Sequence, residues 1–115
     1  MVEDCIFCKM AKKEIPVEFI FENDNFFAIL DQNQDIKGNS LIISKKHYTN
    51  LMDMPSTLGR EMMDAVKEVG QIILKKKYEG FNVLVNNFSA ADQIVMHAHI
   101  HVLPRKKGDK IKVIG

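Results

Sequence analysis

Between about Pro55 and Lys77 the apolar residues of this chain change their spacing, and that change limits the fold more than any other feature. Leu58, Met62, Ala65, Val66, Val69, Ile72 and Ile73 fall on one helical stripe, with Arg60, Asp64, Lys67, Glu68 and Lys75 largely off it. On either side the period is two. Val17, Phe19 and Phe21 alternate with Glu18 and Glu22, Phe26 to Leu30 is a wholly apolar strand, and Leu41-Ile42-Ile43 is a third. After the helix come Phe81 to Asn86, where Phe81, Val83 and Val85 alternate, and His97 to Leu103. A short helix over Asp4 to Lys13 precedes them all, with Asp4 as N-cap, Lys12-Lys13 at its negative end and Pro16 stopping it. Gly80 is the candidate stop of the long helix. Strands, one long helix, then strands give an α+β fold: an antiparallel sheet of about five strands, with the helices on one side. No βαβα alternation is present, which excludes a doubly wound parallel sheet.

At 115 residues the chain is read as one domain over residues 1–115, large enough to bury a core without disulfides. Sixteen Lys and Arg against fifteen Asp and Glu leave a net charge of +1, too little for a chain wrapped by nucleic acid. Lys75-Lys76-Lys77 is a solvated helix end, and Arg105-Lys106-Lys107 with Lys110 a solvated basic tail. The longest apolar runs are a few residues, so no membrane span is expected. Met1-Val2-Glu3-Asp4 has neither a basic region nor an apolar stretch behind it, so the expectation is no secretory signal and a reducing, cytoplasmic setting.

The most informative stretch is His97-Ala98-His99-Ile100-His101-Val102-Leu103, which holds three of the four histidines. Side chains alternate along a strand, so His97, His99 and His101 share one face, about 7 Å apart in succession, and Ala98, Ile100 and Val102 pack on the other. One imidazole alone is ordinarily a surface or hydrogen-bonded core residue. Three together either hold one metal, or include a nucleophile that its neighbours orient and supply with protons. Cys5 and Cys8, the two cysteines, are three residues apart on the first helix and so share a face. A redox pair would follow a strand inside a βαβ unit, whereas this pair precedes every strand. Metal ligation suits it better, with two buried thiols as the alternative.

With its flanks, the His-φ-His-φ-His-φ-φ run, φ being apolar, resembles the histidine triad (HIT) family of nucleotide-binding proteins. Cys5-Ile6-Phe7-Cys8-Lys9, Glu14-Ile15-Pro16, Asp31 after an apolar strand, Leu41-Ile42-Ile43-Ser44-Lys45-Lys46-His47, Asn86-Asn87, Gln93-Ile94-Val95 and Pro104-Arg105 fall in that family's order and spacing. The resemblance runs from about Cys5 to Arg105 and is strongest to the homodimeric nucleoside-phosphoramidate hydrolases.

That resemblance implies a HIT-like fold and a purine nucleotide substrate, cleaved at a P–N or P–O bond through a covalent nucleotidyl-histidine. His99 matches the nucleophile, and His101 the residue that contacts the phosphate and assists proton movement. Asp31 matches the acid that accepts the ribose hydroxyls. Phe7 and Ile29 match the walls of the base slot, and Asn86 and Gln93 lie near the phosphate, with the backbone N–H groups of Gln93 and Ile94 as oxyanion donors. The resemblance also implies a structural zinc on Cys5, Cys8, His47 and His97, no catalytic cofactor, and a homodimer that pairs the helix stripe of Met62, Val66, Val69 and Ile73. This sequence departs from the family pattern at Asn39 (usually His), Phe88 and Asp92 (usually Gly) and Ile94 (often Ser). Those changes leave the nucleophile in place but thin the phosphate donors, so a catalytically weak nucleotide-binding or scaffold protein of the same fold is the rival reading. A three-histidine metalloenzyme of cupin type would need a downstream carboxylate and a further His, and no Glu or His follows His101.

Overall fold

The computed structural model describes residues 4–113. Its elements are helix α1 (Ile6–Ala11), strands β1 (Phe21–Glu22), β2 (Phe26–Leu30) and β3 (Ser40–Ser44), helix α2 (Gly59–Lys75), and strands β4 (Gly80–Leu84) and β5 (His99–Arg105). One-turn 3₁₀ segments at Ser56–Leu58 and Ser89–Ala91 precede α2 and β5. The strands form one sheet in the order β1-β2-β3-β5-β4, every pair antiparallel. This is the α+β, five-strand architecture with one short and one long helix that the periodicity implies.

The helices do not lie on one side. Phe27, Ile29, Leu41 and Ile43 cluster with Phe7, Cys8 and Met10 of α1, whereas Phe26, Ala28, Ile42, Ile100 and Val102 cluster with Ala65, Val69 and Ile73 of α2. Each helix covers its own face. The reason is legible in β2, whose first four residues are all buried. A strand apolar at every position needs cover above and below. Val69 and Ile73 are 0% and 4% exposed, and each side chain so buried contributes roughly 1.5–3 kcal/mol. At six residues α1 is too short to be stable alone and is held by its packing.

Several boundaries move. Cys5, not Asp4, is the N-cap of α1, its Sγ accepting the Cys8 N–H at 3.4 Å. The first strand shrinks to two residues, although Ile20 N–H still donates to Ala28 O at 2.8 Å and Phe19 stacks on Phe27 with ring centroids 4.5 Å apart. The chain leaves α2 through Lys77, which takes the left-handed conformation (φ 70°), and Gly80 opens β4 instead of stopping the helix. Gly70 is buried in α2 because a Cβ there would stand 2.6 Å from the Phe81 ring of β4. Among the described residues no helix is long and apolar enough to cross a membrane.

Candidate active site and metal centre

Because β5 alternates, Ile100 and Val102 point to α2 while His99 and His101 point to the α1 side, their rings 5.1 Å apart. A cavity of about 380 Å³ opens there between α1, the end of β2 and the segment leading into β5. Phe7, Ile29, Asp31, Asn86, Ile94, His99 and His101, all expected at the site, line it. Asp92 lines it too, so an acidic residue shares the cavity with His99. Ile6, Met10, Leu41 and Val95 complete the apolar wall. Sequence reading did not place them in the site, although Met10 lies one helical turn from Phe7 and Leu41 pairs with His101 across the sheet.

His99 is held by its main-chain neighbour. Its Nδ1 lies 2.7 Å from the carbonyl oxygen of His97, which can only accept, so Nδ1 carries the hydrogen and Nε2 carries the free lone pair. The same peptide unit is fixed at its other end, where Ala98 N–H donates to Tyr48 O at 2.7 Å. The ring of Phe7 meets His99 edge-on at 5.2 Å. Burial, and secondarily the neighbouring His99, push the His101 pKa below the ordinary imidazole value, with the Asp31 carboxylate pulling the other way.

Asp31 is braced from two sides: Asn33 N–H donates to Oδ1 and Asn39 Nδ2 to Oδ2, both at 3.1 Å. Asn39, buried at 8% exposure, therefore orients the acid, a role the sequence did not announce. Gln93 sits apart from the cavity lining and is buried. Its Oε1 accepts the Phe88 N–H at 2.7 Å, its Nε2 donates to Thr49 O and Val95 O, and its own N–H donates to Phe88 O at 3.2 Å. Gln93 thus ties the loop over residues 88–95 together. Phe88 and Asp92 both have positive φ (73° and 66°). Asp tolerates the left-handed region, whereas the Phe88 conformation (ψ 157°) is one that glycine alone adopts freely, a strain of order 1–3 kcal/mol.

His97 precedes β5 instead of opening it, and is fully buried. Its Nε2 donates to Ser44 O at 2.7 Å, which turns Nδ1 toward the thiols. That Nδ1 is 3.2 Å from Cys5 Sγ, 3.5 Å from Cys8 Sγ and 3.1 Å from His47 Nδ1, and Cys8 Sγ is 3.3 Å from His47 Nδ1. Burial lowers the His97 pKa to about 4, which keeps this ring neutral. The four ligand atoms lie within 4.8 Å of one another. Tetrahedral Zn²⁺ with bonds of about 2.0–2.3 Å spaces its ligands roughly 3.3–3.8 Å apart, so two thiols and two imidazoles fit that ion, and Ser44 O supplies the outer contact such a histidine needs.

A match to the HIT domain covers residues 12–108. The chain belongs to the HIT family. Among HIT relatives, it is 41% identical to adenylylsulfatase HINT3 of Arabidopsis thaliana over 92% of its own length and 54% of that protein, so it spans about half of the plant chain. It is 34% identical to adenosine 5'-monophosphoramidase HNT1 of Saccharomyces cerevisiae, over 96% of its own length and 68% of the yeast protein. The structure of a zinc-bound histidine triad protein from Mycobacterium smegmatis superposes with a TM-score of 0.78 at 35% identity, covering 95% of this chain and 80% of that one.

Proposed function

We propose that this HIT protein hydrolyses a purine nucleotide at a P–N or P–O bond through a nucleotidyl-His99 intermediate. The observation that carries the reading is the His99 Nδ1 contact to a backbone carbonyl, which leaves Nε2 nucleophilic inside a cavity. The base lies in the slot walled by Phe7 and Ile29, and the ribose hydroxyls donate to Asp31. Each Asp31 oxygen accepts one hydrogen bond within the protein and retains capacity for a second. The Nε2 lone pair attacks the α-phosphorus, and the P–N or P–O bond breaks. The leaving group departs with the bonding pair and gains a proton by way of His101. Water then adds to phosphorus, the P–Nε2 bond breaks, and the nucleoside 5'-monophosphate is released with its extra proton going to solvent. The names of the plant and yeast relatives support this class of chemistry. Mixing the protein with a purine nucleoside phosphoramidate and quenching in mild base tests it. An adduct of nucleotidyl mass on the peptide bearing His99 is the expected result. Tight nucleotide binding without adduct or turnover favours the rival reading, a nucleotide-binding scaffold, for which Asp92 in the cavity is the favouring observation.

We further propose that Cys5, Cys8, His47 and His97 hold a structural Zn²⁺. With four protein ligands it would have no open position for substrate, and its chemistry would be to clamp α1 to the sheet. The protein is proposed to be a homodimer, but not through the whole expected stripe, because Val69 and Ile73 are spent on its own sheet. Met63 and Leu74 are 55% and 46% exposed on the side of α2 that faces β4, and that edge strand exposes Val83 and Leu84 at 46% and 38%. Met63, Leu74 and Val83 lie on the α2 side of the sheet, Val83 pairing with Val102, and these three make the proposed self-complementary face. Light scattering should give twice the 13.2 kDa chain mass; the monomer mass at micromolar concentration would rule the dimer out.

A further inference from the structure

The cavity continues past Ile6, Ile94 and Val95. A second hollow of about 480 Å³ adjoins it, and the two share Ile6, Ile94 and Val95 as walls. Met96 and Thr49 continue the second hollow, and Asp4 stands in its lining. Ile94 is 89% exposed, and Met96 and Ile6 are 42% and 40% exposed. Single exposed aliphatics are ordinary, but three large ones around one hollow that continues a binding cavity mark a surface that an apolar group covers. The charge of the lining points the same way. Among the described residues no lysine or arginine lines either hollow; the carboxylates that do are Asp31 and Asp92 in the first and Asp4 in the second, and Cys5 and His47 of the proposed metal centre also line the second.

We infer that this groove is a leaving-group subsite, and that it selects an apolar, uncharged or cationic group, such as an alkyl or aryl amine, over an anionic one such as sulfate or a polyphosphate. The inference rests on the hydrolase reading above and deepens it. An amine substituent on phosphorus beside His99 reaches past Ile94 into the groove, where its carbon chain is removed from water. When the P–N bond breaks, that amine leaves with the bonding pair and a proton, as in the unsubstituted case. An anionic leaving group would gain negative charge in a cavity that Asp92 also lines, with no lysine or arginine in the lining to receive it. Ile94 and Asp92 are then specificity-determining residues.

The test compares three probes on the intact protein: unsubstituted adenosine 5'-phosphoramidate, its N-hexyl derivative, and adenosine 5'-phosphosulfate. Ratios of kcat/KM are compared between proteins, so the intrinsic reactivity of each probe cancels. Met96→Ser should lower the ratio of hexyl to unsubstituted amide about fivefold with the unsubstituted rate unchanged, and Ile94→Ser should lower the same ratio tenfold or more, since each methylene left in water is worth roughly a factor of four. Asp92→Asn, which keeps a residue tolerant of the left-handed conformation, should raise the ratio of phosphosulfate to unsubstituted amide several-fold. Unchanged ratios in all three variants, with the unsubstituted amide still turned over, overturn the subsite and leave the hydrolase reading standing. If no probe is turned over, the hydrolase reading falls and this one with it.

Discussion

The four-residue cluster and the cavity beside it are made of the same chemistry, imidazoles against α1, yet they end in opposite states. His97 has both ring nitrogens engaged inside the protein, is fully buried, and is pushed neutral by its surroundings. His99, two residues on, has one nitrogen engaged and the other in an open cavity. The difference lies in where the strand begins. His97 sits in the bend before β5, beyond the reach of strict alternation, and turns under α1; His99 is the first residue of the strand and projects beside it. Residue type alone does not decide how an imidazole is held. Position relative to one strand end does.

Exchanging the two roles should break that contrast most visibly. His99→Ala should remove turnover by a factor of at least about 10³, in the range of losing a catalytic nucleophile, while thermal stability, bound zinc and nucleoside monophosphate binding stay near wild type. His97→Ala should do the reverse first: zinc lost by metal analysis, and roughly 3–5 kcal/mol of stability lost for a buried polar contact network and its metal. Undiminished turnover in His99→Ala would end the assignment of the nucleophile. Retained zinc in His97→Ala would end that of the ligand.

A smaller effect sharpens the cavity side. Hydrogen bonds from the ribose hydroxyls to a carboxylate are worth roughly 1.5–3 kcal/mol each, so Asp31→Asn should weaken adenosine monophosphate binding at least tenfold. A 2′,3′-dideoxy analogue should be nearly indifferent; equal losses for both ligands would make Asp31 structural. Asn39→Ala, which removes one of the two braces on Asp31, should show the same preference at reduced size, about threefold to tenfold by calorimetry.

Least of all should happen to activity when the opposite face is disturbed. Gly70→Ala gains helix propensity of about 1 kcal/mol but drives a methyl into the Phe81 ring. Overpacking typically costs 1–3 kcal/mol, so a net loss of about 1 kcal/mol is expected in denaturant unfolding, with kcat/KM within twofold. A large loss of activity would mean that the α2 face and the cavity are not independent.

What the sequence made legible follows the same division. The α2 stripe, the five strands and the alternation at Ile100 and Val102 are periodic signals, and periodicity survives folding unchanged. The helices lie on both sides, not one, because a strand apolar at every position, Phe26 to Leu30, demands a cover on each face. The expected site residues in or beside strands, His99, His101, Asp31 and Ile29, line one cavity. Those whose role rests on loop geometry were not legible. Asn39 looks like a lost imidazole until its amide is seen on Asp31, and Gln93 looks like a phosphate contact until its bonds to Phe88, Thr49 and Val95 are seen. Cys5 as the N-cap of α1 has no sequence signature, since cysteine is not among the residues favoured there.

The bond that sets the His99 tautomer ends on a backbone carbonyl, in a peptide unit whose other end is tied to Tyr48 O. Every amino acid that could stand at position 97 brings that carbonyl with it. The orienting group that many enzymes place on a separate side chain, open to loss by one nucleotide change, is here written into the main chain. Drift at position 97 can remove an imidazole from the four-residue cluster, but it cannot delete the acceptor itself. Only a rotation of the whole peptide plane can, which makes the orientation of the His99 ring more durable under mutation than the side-chain contacts around it.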